Sequence, residues 1–164
     1  MSLKDQKLEA EPDPCIATVD RNGVPYNARL KRVRESLAKS PQDVAESVGV
    51  TFAEYDEWET FEGELNMVMT LGELSRLATV LGVPTKLLFE DDSDVEQLVS
   101  PEQLCAKINA HLNAKRMSVA EFENRVGFEI ALAVWNPSEV LNWNVDCLRY
   151  VCAEIGVNWL KALP

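Results

Sequence analysis

The sequence lacks the features that define several common classes of protein. Its apolar stretches fall well short of the roughly 20 residues that cross a bilayer, so no membrane segment is expected. Met1 to Lys7 lack the apolar core of a secretory signal, which predicts a cytoplasmic protein. The single histidine, His111, has no companion at ligand spacing, and no two cysteines form a Cys-x-x-Cys pair, so no metal site is expected.

Patterns for catalysis are also missing. One histidine cannot make a triad without partners, and no glycine-rich phosphate loop is present. The carboxylates are spread over positions that a helical pattern places in solvent. We therefore predict a protein that is not an enzyme and holds no cofactor. Cys105, Cys147 and Cys152 are interpreted as small apolar residues on helices.

The charge balance is strongly negative. The chain has 27 acidic and 16 basic side chains, which gives a formal net charge of −11. A DNA backbone attracts positive charge, so this balance opposes nonspecific binding of nucleic acid.

The N-terminal residues, 1–28, are expected to form an extended or partly disordered arm, because the start is polar and interrupted by prolines. Asn22-Gly23 lies between two short β-prone runs and indicates a turn. Two alternatives remain at this stage: a small hairpin with Pro25 on an edge strand, or an extended arm that docks on the rest of the protein.

Residues 29–92 show helical spacing with clear boundaries. Ser40-Pro41 is a favourable cap and first position for a second helix, which Gly49 ends. Thr51 is expected to cap a third helix, and Thr70 a fourth that ends at Gly82. These signals predict a domain of four helices and a short final turn.

Residues 101–164 repeat this plan after an acidic linker at 93–100. An interval of 78 residues separates Ser40 from Ser118 and also Gly49 from Gly127, whereas Gly82 and Gly156 are 74 apart. We interpret the pattern as a tandem duplication with a degenerate second copy. The third helix of that copy, expected at 130–135, is almost wholly apolar, which favours core packing or a dimer interface.

Two segments carry a resemblance to a known family. Residues 40–51, SPQDVAESVGVT, resemble the T-Q-x-x-L-A-x-x-L-G-V-S pattern of lambda-repressor/Cro-like (XRE-type) helix-turn-helix regulators. Residues 74–89, LSRLATVLGVPTKLLF, are similar to the family pattern L-x-x-L-A-x-x-L-G-V-x-x-x-x-L-F. The chain departs from the family at Phe61, where a glycine is common, and in the insertion-like 64–69 loop. The resemblance implies an all-α fold of two tandem lambda-repressor-like domains.

The family resemblance also implies a DNA interface, with the second helix across the backbone and the third in the major groove. Residues expected at the bases are Thr51, Phe52, Ala53, Glu54 and Glu57. Gln42 is expected to touch a phosphate and to brace the third helix. The backbone would also be approached by Ser40, Arg29 and Arg32.

Charge is distributed unevenly over this expected interface. Residues 29–39 carry five cations, Arg29, Lys31, Arg32, Arg34 and Lys39, against one acid, Glu35. Residues 40–75 carry nine acids and no lysine or arginine. The basic face could bind phosphates, or the two faces could neutralise each other within the fold or across a dimer.

The leading hypothesis is a homodimeric, DNA-binding transcriptional regulator of the lambda-repressor/Cro-like type. The alternative is an acidic helical protein–protein interaction module that has lost DNA binding and engages a protein partner. The match to the family's sequence patterns favours the first hypothesis. The negative net charge and the acidic residues of the third helix favour the second.

Overall fold

The computed structural model describes residues 18–91 and 98–164, and within these ranges it is helical, without strands. The all-α fold class is thus confirmed. Most of the expected arm and most of the acidic linker lie outside the described residues. No helix in the described ranges is long and apolar enough to cross a membrane.

Each half of the chain contains four α-helices in the same order. The first half contains α1 (Tyr26–Ser36), α2 (Pro41–Val48), α3 (Phe52–Thr60), a π-helical turn (Glu64–Val68), α4 (Leu71–Leu81) and a 3-10 turn (Thr85–Leu88). The second half contains α5 (Pro101–Lys115), α6 (Val119–Val126), α7 (Ala131–Trp135), a 3-10 turn (Pro137–Asn142), α8 (Val145–Ile155) and a 3-10 turn (Trp159–Ala162).

Local capping sets most of these boundaries. The hydroxyls of Ser40, Thr51, Thr70 and Ser118 each accept a hydrogen bond from the amide three residues later. Such caps satisfy amides that the helix itself leaves unpaired, and each stabilises its helix by about 1 kcal/mol. Gly49 ends α2 at a φ of 87°, a conformation that a side chain would strain.

The first helix begins earlier than the sequence pattern indicated. α1 starts at Tyr26, not at residue 29, because the Tyr26 ring belongs to the core and is only 3 % exposed. Before it, the chain closes a tight turn in which an Asp20 carboxylate oxygen accepts hydrogen bonds from the amides of Asn22 and Val24. A single antiparallel bridge joins Val19 to Pro25 around the turn at Asn22-Gly23, so the first alternative, a small hairpin, is present in its shortest form.

The two halves meet through corresponding segments. Thr70 and Asn144, the N-caps of α4 and α8, form an isolated antiparallel bridge, and the Leu71 amide donates to the Trp143 carbonyl at 2.7 Å. The π-helical turn of the first half contacts α8, and the 137–142 turn of the second half contacts α4. Such reciprocal contacts are typical of two-fold related interfaces, here within one chain.

A buried arginine lies at this junction. Arg149 is 4 % exposed, and its guanidinium donates to the Tyr26 hydroxyl and lies 3.4 Å from the Asp146 carboxylate. The same group lies 4.4 Å from the centroid of the Trp159 ring. Asn66 of the first half donates to the Asp146 carboxylate at 3.0 Å. Charge, hydrogen bonds and ring contacts therefore connect the halves at one place.

We predict that Arg149→Ala lowers the free energy of unfolding by about 3 kcal/mol, because it leaves Asp146 and the Tyr26 hydroxyl without their buried partner. Urea denaturation measures the change. Arg125→Ala is the matched control, since Arg125 forms an exposed ion pair with Glu154 and should cost less than about 0.5 kcal/mol. Equal losses in the two variants would show that Arg149 does not hold the halves together.

Candidate binding surfaces

The α2–α3 pair presents the surface that the sequence pointed to. The two helices contact each other across the Gly49 turn and bury Val44, Ala45 and Tyr55 on their inner sides. Their outer sides face solvent. Most of the predicted DNA-contacting residues are exposed on these two helices or at their caps: Ser40, Gln42, Thr51, Phe52, Ala53, Glu54 and Glu57. Arg32, on α1, is also exposed.

Arg29 is not part of this exposed surface. The structure therefore contradicts the expectation that Arg29 contacts a DNA phosphate. Its side chain is 7 % exposed. Its guanidinium donates to Asp20 at 3.0 Å, to Asp91 at 2.8 Å and to the Leu87 carbonyl at 2.8 Å. Tertiary structure causes this burial: the 18–25 turn supplies Asp20, the 3-10 turn supplies the Leu87 carbonyl, and Asp91 follows that turn.

A second arginine of the basic run is also used inside the fold. Arg34 is 6 % exposed and holds Glu59 of α3 in a bidentate pair, with distances of 2.6 and 2.8 Å. Glu59 also accepts from the Tyr55 hydroxyl, while burial raises the pKa of that phenol. The alternative in which α1 and α3 neutralise each other within the fold is therefore realised at this pair.

Glu54 is turned back onto its own helix. Its carboxylate accepts from the Thr51 amide at 2.7 Å and from the Thr51 hydroxyl at 2.8 Å, completing a capping box. These hydrogen bonds lower the pKa of the Glu54 carboxyl. The carboxylate therefore stabilises the start of α3 while it stays exposed to solvent, and its expected contact with a base stays a prediction.

The remaining carboxylates of the pair form what we call the acidic surface: Asp43, Glu46, Asp56 and Glu57. All four are exposed. The side-chain amide of Gln42 donates to the Glu46 carboxylate at 2.8 Å and is exposed, so its expected contact with a phosphate stays a prediction. Within residues 18–91 and 98–164 no ion pair neutralises these four groups, and residues 40–75 contain no lysine or arginine.

The α6–α7 pair of the second half exposes a different chemistry. The side chains of Leu132 and Trp135 are 74 % and 86 % exposed. Of the two alternatives for this helix, core packing is therefore wrong for Leu132 and Trp135, and the dimer interface stays a prediction. At the interval of 78 residues, Leu132 and Trp135 correspond to Glu54 and Glu57.

The sequence patterns missed Leu132 and Trp135 as a site because the whole segment is apolar. α7 has only five residues, which is too short for all of them to face the core, and Ala133 is its one fully buried member. Pro137 begins the next turn directly afterwards. The short length of this apolar segment is the sequence feature from which the exposure of Leu132 and Trp135 could have been predicted.

The described residues contain no cluster of three or more side chains that could hold a metal ion. Comparison with known proteins adds no relative: no family model, no curated protein and no solved structure matches the chain.

We predict that the Glu54 carboxyl titrates below the pH range of an ordinary glutamate, because Thr51 stabilises its charged form. NMR titration of the side-chain carboxyl measures the midpoint. Thr51→Ala keeps the amide, which lowers the pKa most, and removes the hydroxyl, so it should raise that midpoint part of the way. Thr60→Ala, at the other end of α3, should leave the midpoint in place. A midpoint insensitive to Thr51→Ala would contradict the capping geometry.

Proposed function

We propose that this chain is an acidic interaction module that binds a basic segment of a protein partner through the acidic surface of α2 and α3. One observation carries the proposal. Four carboxylates are exposed there and form no ion pair within residues 18–91 and 98–164, while Arg29 and Arg34 of the preceding basic run are buried in ion pairs with Asp20, Asp91 and Glu59.

Electrostatics favours such a partner over a duplex. Two like charges 4 Å apart repel by about 1 kcal/mol even in water, and more where water is excluded. Phosphates placed against Glu46, Asp56 and Glu57 would meet several such repulsions. Lysine or arginine side chains at the same positions are attracted, which increases the association rate and selects the partner.

A DNA-binding regulator of the lambda-repressor/Cro-like type is the second candidate, and a specific observation favours it. The stretch from Thr51 to Glu57 is exposed apart from Tyr55, as a helix that enters a groove must be, and Arg32 is also exposed. A single carboxylate can accept from cytosine N4. The homodimer that accompanies this candidate stays a prediction, which sedimentation analysis of the full chain tests.

We predict that the full chain binds a labelled lysine-rich peptide, and that salt weakens the complex. Glu57→Lys should weaken binding several-fold because it reverses a charge within the acidic surface. Fluorescence anisotropy measures both affinities. Glu102→Lys is the matched control, since it changes the net charge equally at an exposed position on α5. Equal effects of the two variants would exclude the acidic surface as the binding site.

The same titration with random-sequence duplex DNA at two salt concentrations tests the second candidate. The module proposed here should give no complex at micromolar protein and low salt. A duplex complex that Arg32→Ala and Gln42→Ala weaken would replace the present proposal with the regulator.

A further inference from the structure

Leu132 and Trp135 form an exposed apolar pair on α7. Their spacing of three residues places them on one face of the helix, and both project into solvent. Tryptophan has a large apolar area and is highly buried on average, so an exposure of 86 % is unusual for this residue type. Tryptophan is also the residue type most enriched among those that dominate binding energy at interfaces.

The helix that carries this pair is held firmly. The Glu123 carboxylate accepts from the amides of Ile130 at 2.7 Å and Ala131 at 2.8 Å, which fixes the start of α7. The Cys105 thiol donates to the Ala133 carbonyl at 3.2 Å and ties the helix to α5. Trp135 is therefore displayed on a positioned element, which reduces the entropy lost on binding.

A cleft of about 330 Å³ lies beside the pair. Its lining includes the buried Ala133 and Trp143 together with Leu132, and also the polar side chains of Glu123 and Asn142. Glu129 and Glu139 form its acidic edges, and no lysine or arginine lines it. The cleft thus combines apolar and acidic side chains, and it borders Leu132 on the helix that carries Trp135.

Charge decides which occupant fits. A second copy of this chain would approach with its own net charge of −11, so self-association at this place is opposed by repulsion. Phosphates of a nucleic acid would meet Glu129 and Glu139. A helix with one apolar face and flanking lysines or arginines satisfies both the apolar pair and the acidic edges.

We propose that α7 and the adjacent cleft form a docking site for a basic amphipathic helix of another protein, with Trp135 as the main anchor. This site is separate from the acidic surface of α2 and α3. It shares no residue with that surface, and it engages the apolar face of the partner.

The test uses the full chain and a model amphipathic helix built from leucine and lysine. Trp58 and Trp143 are buried and Trp159 is half-buried, so changes in tryptophan emission report chiefly on Trp135. Peptide binding should shift the emission to shorter wavelength and protect it from acrylamide. Trp135→Ser should weaken the complex at least about tenfold, as expected of an anchor residue, and Leu132→Ser should weaken it to a smaller extent.

Controls separate this site from charge attraction and from the proposed function. Phe61→Ser alters another exposed aromatic residue, 54 % exposed on the first half, and should keep wild-type affinity. The same peptide with glutamates in place of lysines should not bind. Glu57→Lys should leave the emission shift intact, so failure of the acidic surface and failure of this site give different results.

Three results would overturn the inference. The first is Trp135→Ser binding the peptide as tightly as the wild type, and the second is unchanged acrylamide quenching in the complex. The third is an emission shift that the protein shows alone with rising concentration, or with duplex DNA, because the occupant would then be a second copy or a nucleic acid. Because Trp135 is 86 % exposed, the serine variant should fold normally, which circular dichroism checks.

Discussion

The guanidinium of Arg149, removed from solvent between the two halves, is the constraint on which the arrangement depends. An unpaired buried cation would be strongly unfavourable, so its neighbours must supply both charge and π faces. Tyr26, Asp146 and Trp159 do so, and they come from α1, α8 and the last 3-10 turn. This requirement helps to fix where α1 begins and how α8 packs, and therefore how the two outer surfaces are oriented.

The distribution of cations explains the surface chemistry better than the net charge does. Arg29 and Arg34 belong to a basic run in the sequence, yet both are buried with carboxylates from distant segments. The exposed side of α2 and α3 carries acidic and neutral side chains but no lysine or arginine. A count of charges along residues 29–39 thus overestimates the basic surface, because two of its five cations, Arg29 and Arg34, are buried.

Features determined by local chemistry could be predicted from the sequence. The bounds of α2, α4, α5, α6 and α8 follow from a cap residue at one end and, in most cases, a glycine at the other, all close in sequence to the helix they delimit. Features determined by distant partners could not. The burial of Arg29 depends on Asp91, 62 residues away, and the exposure of Trp135 depends on how α7 packs against α5. Sequence patterns that repeat every two to four residues do not show which distant segments will pack against each other.

Corresponding positions in the two halves show which parts of the fold were free to differ. Tyr55 and Ala133 are 78 residues apart and both are buried, because the inner side of each third helix must pack. The outer positions carry no such requirement: Glu57 in one half corresponds to Trp135 in the other, and both are exposed. Since neither side chain contributes to the core, folding stability does not explain why one surface is anionic and the other apolar. The partners proposed for the two surfaces would account for this difference, because an anionic surface and an apolar one attract different side chains.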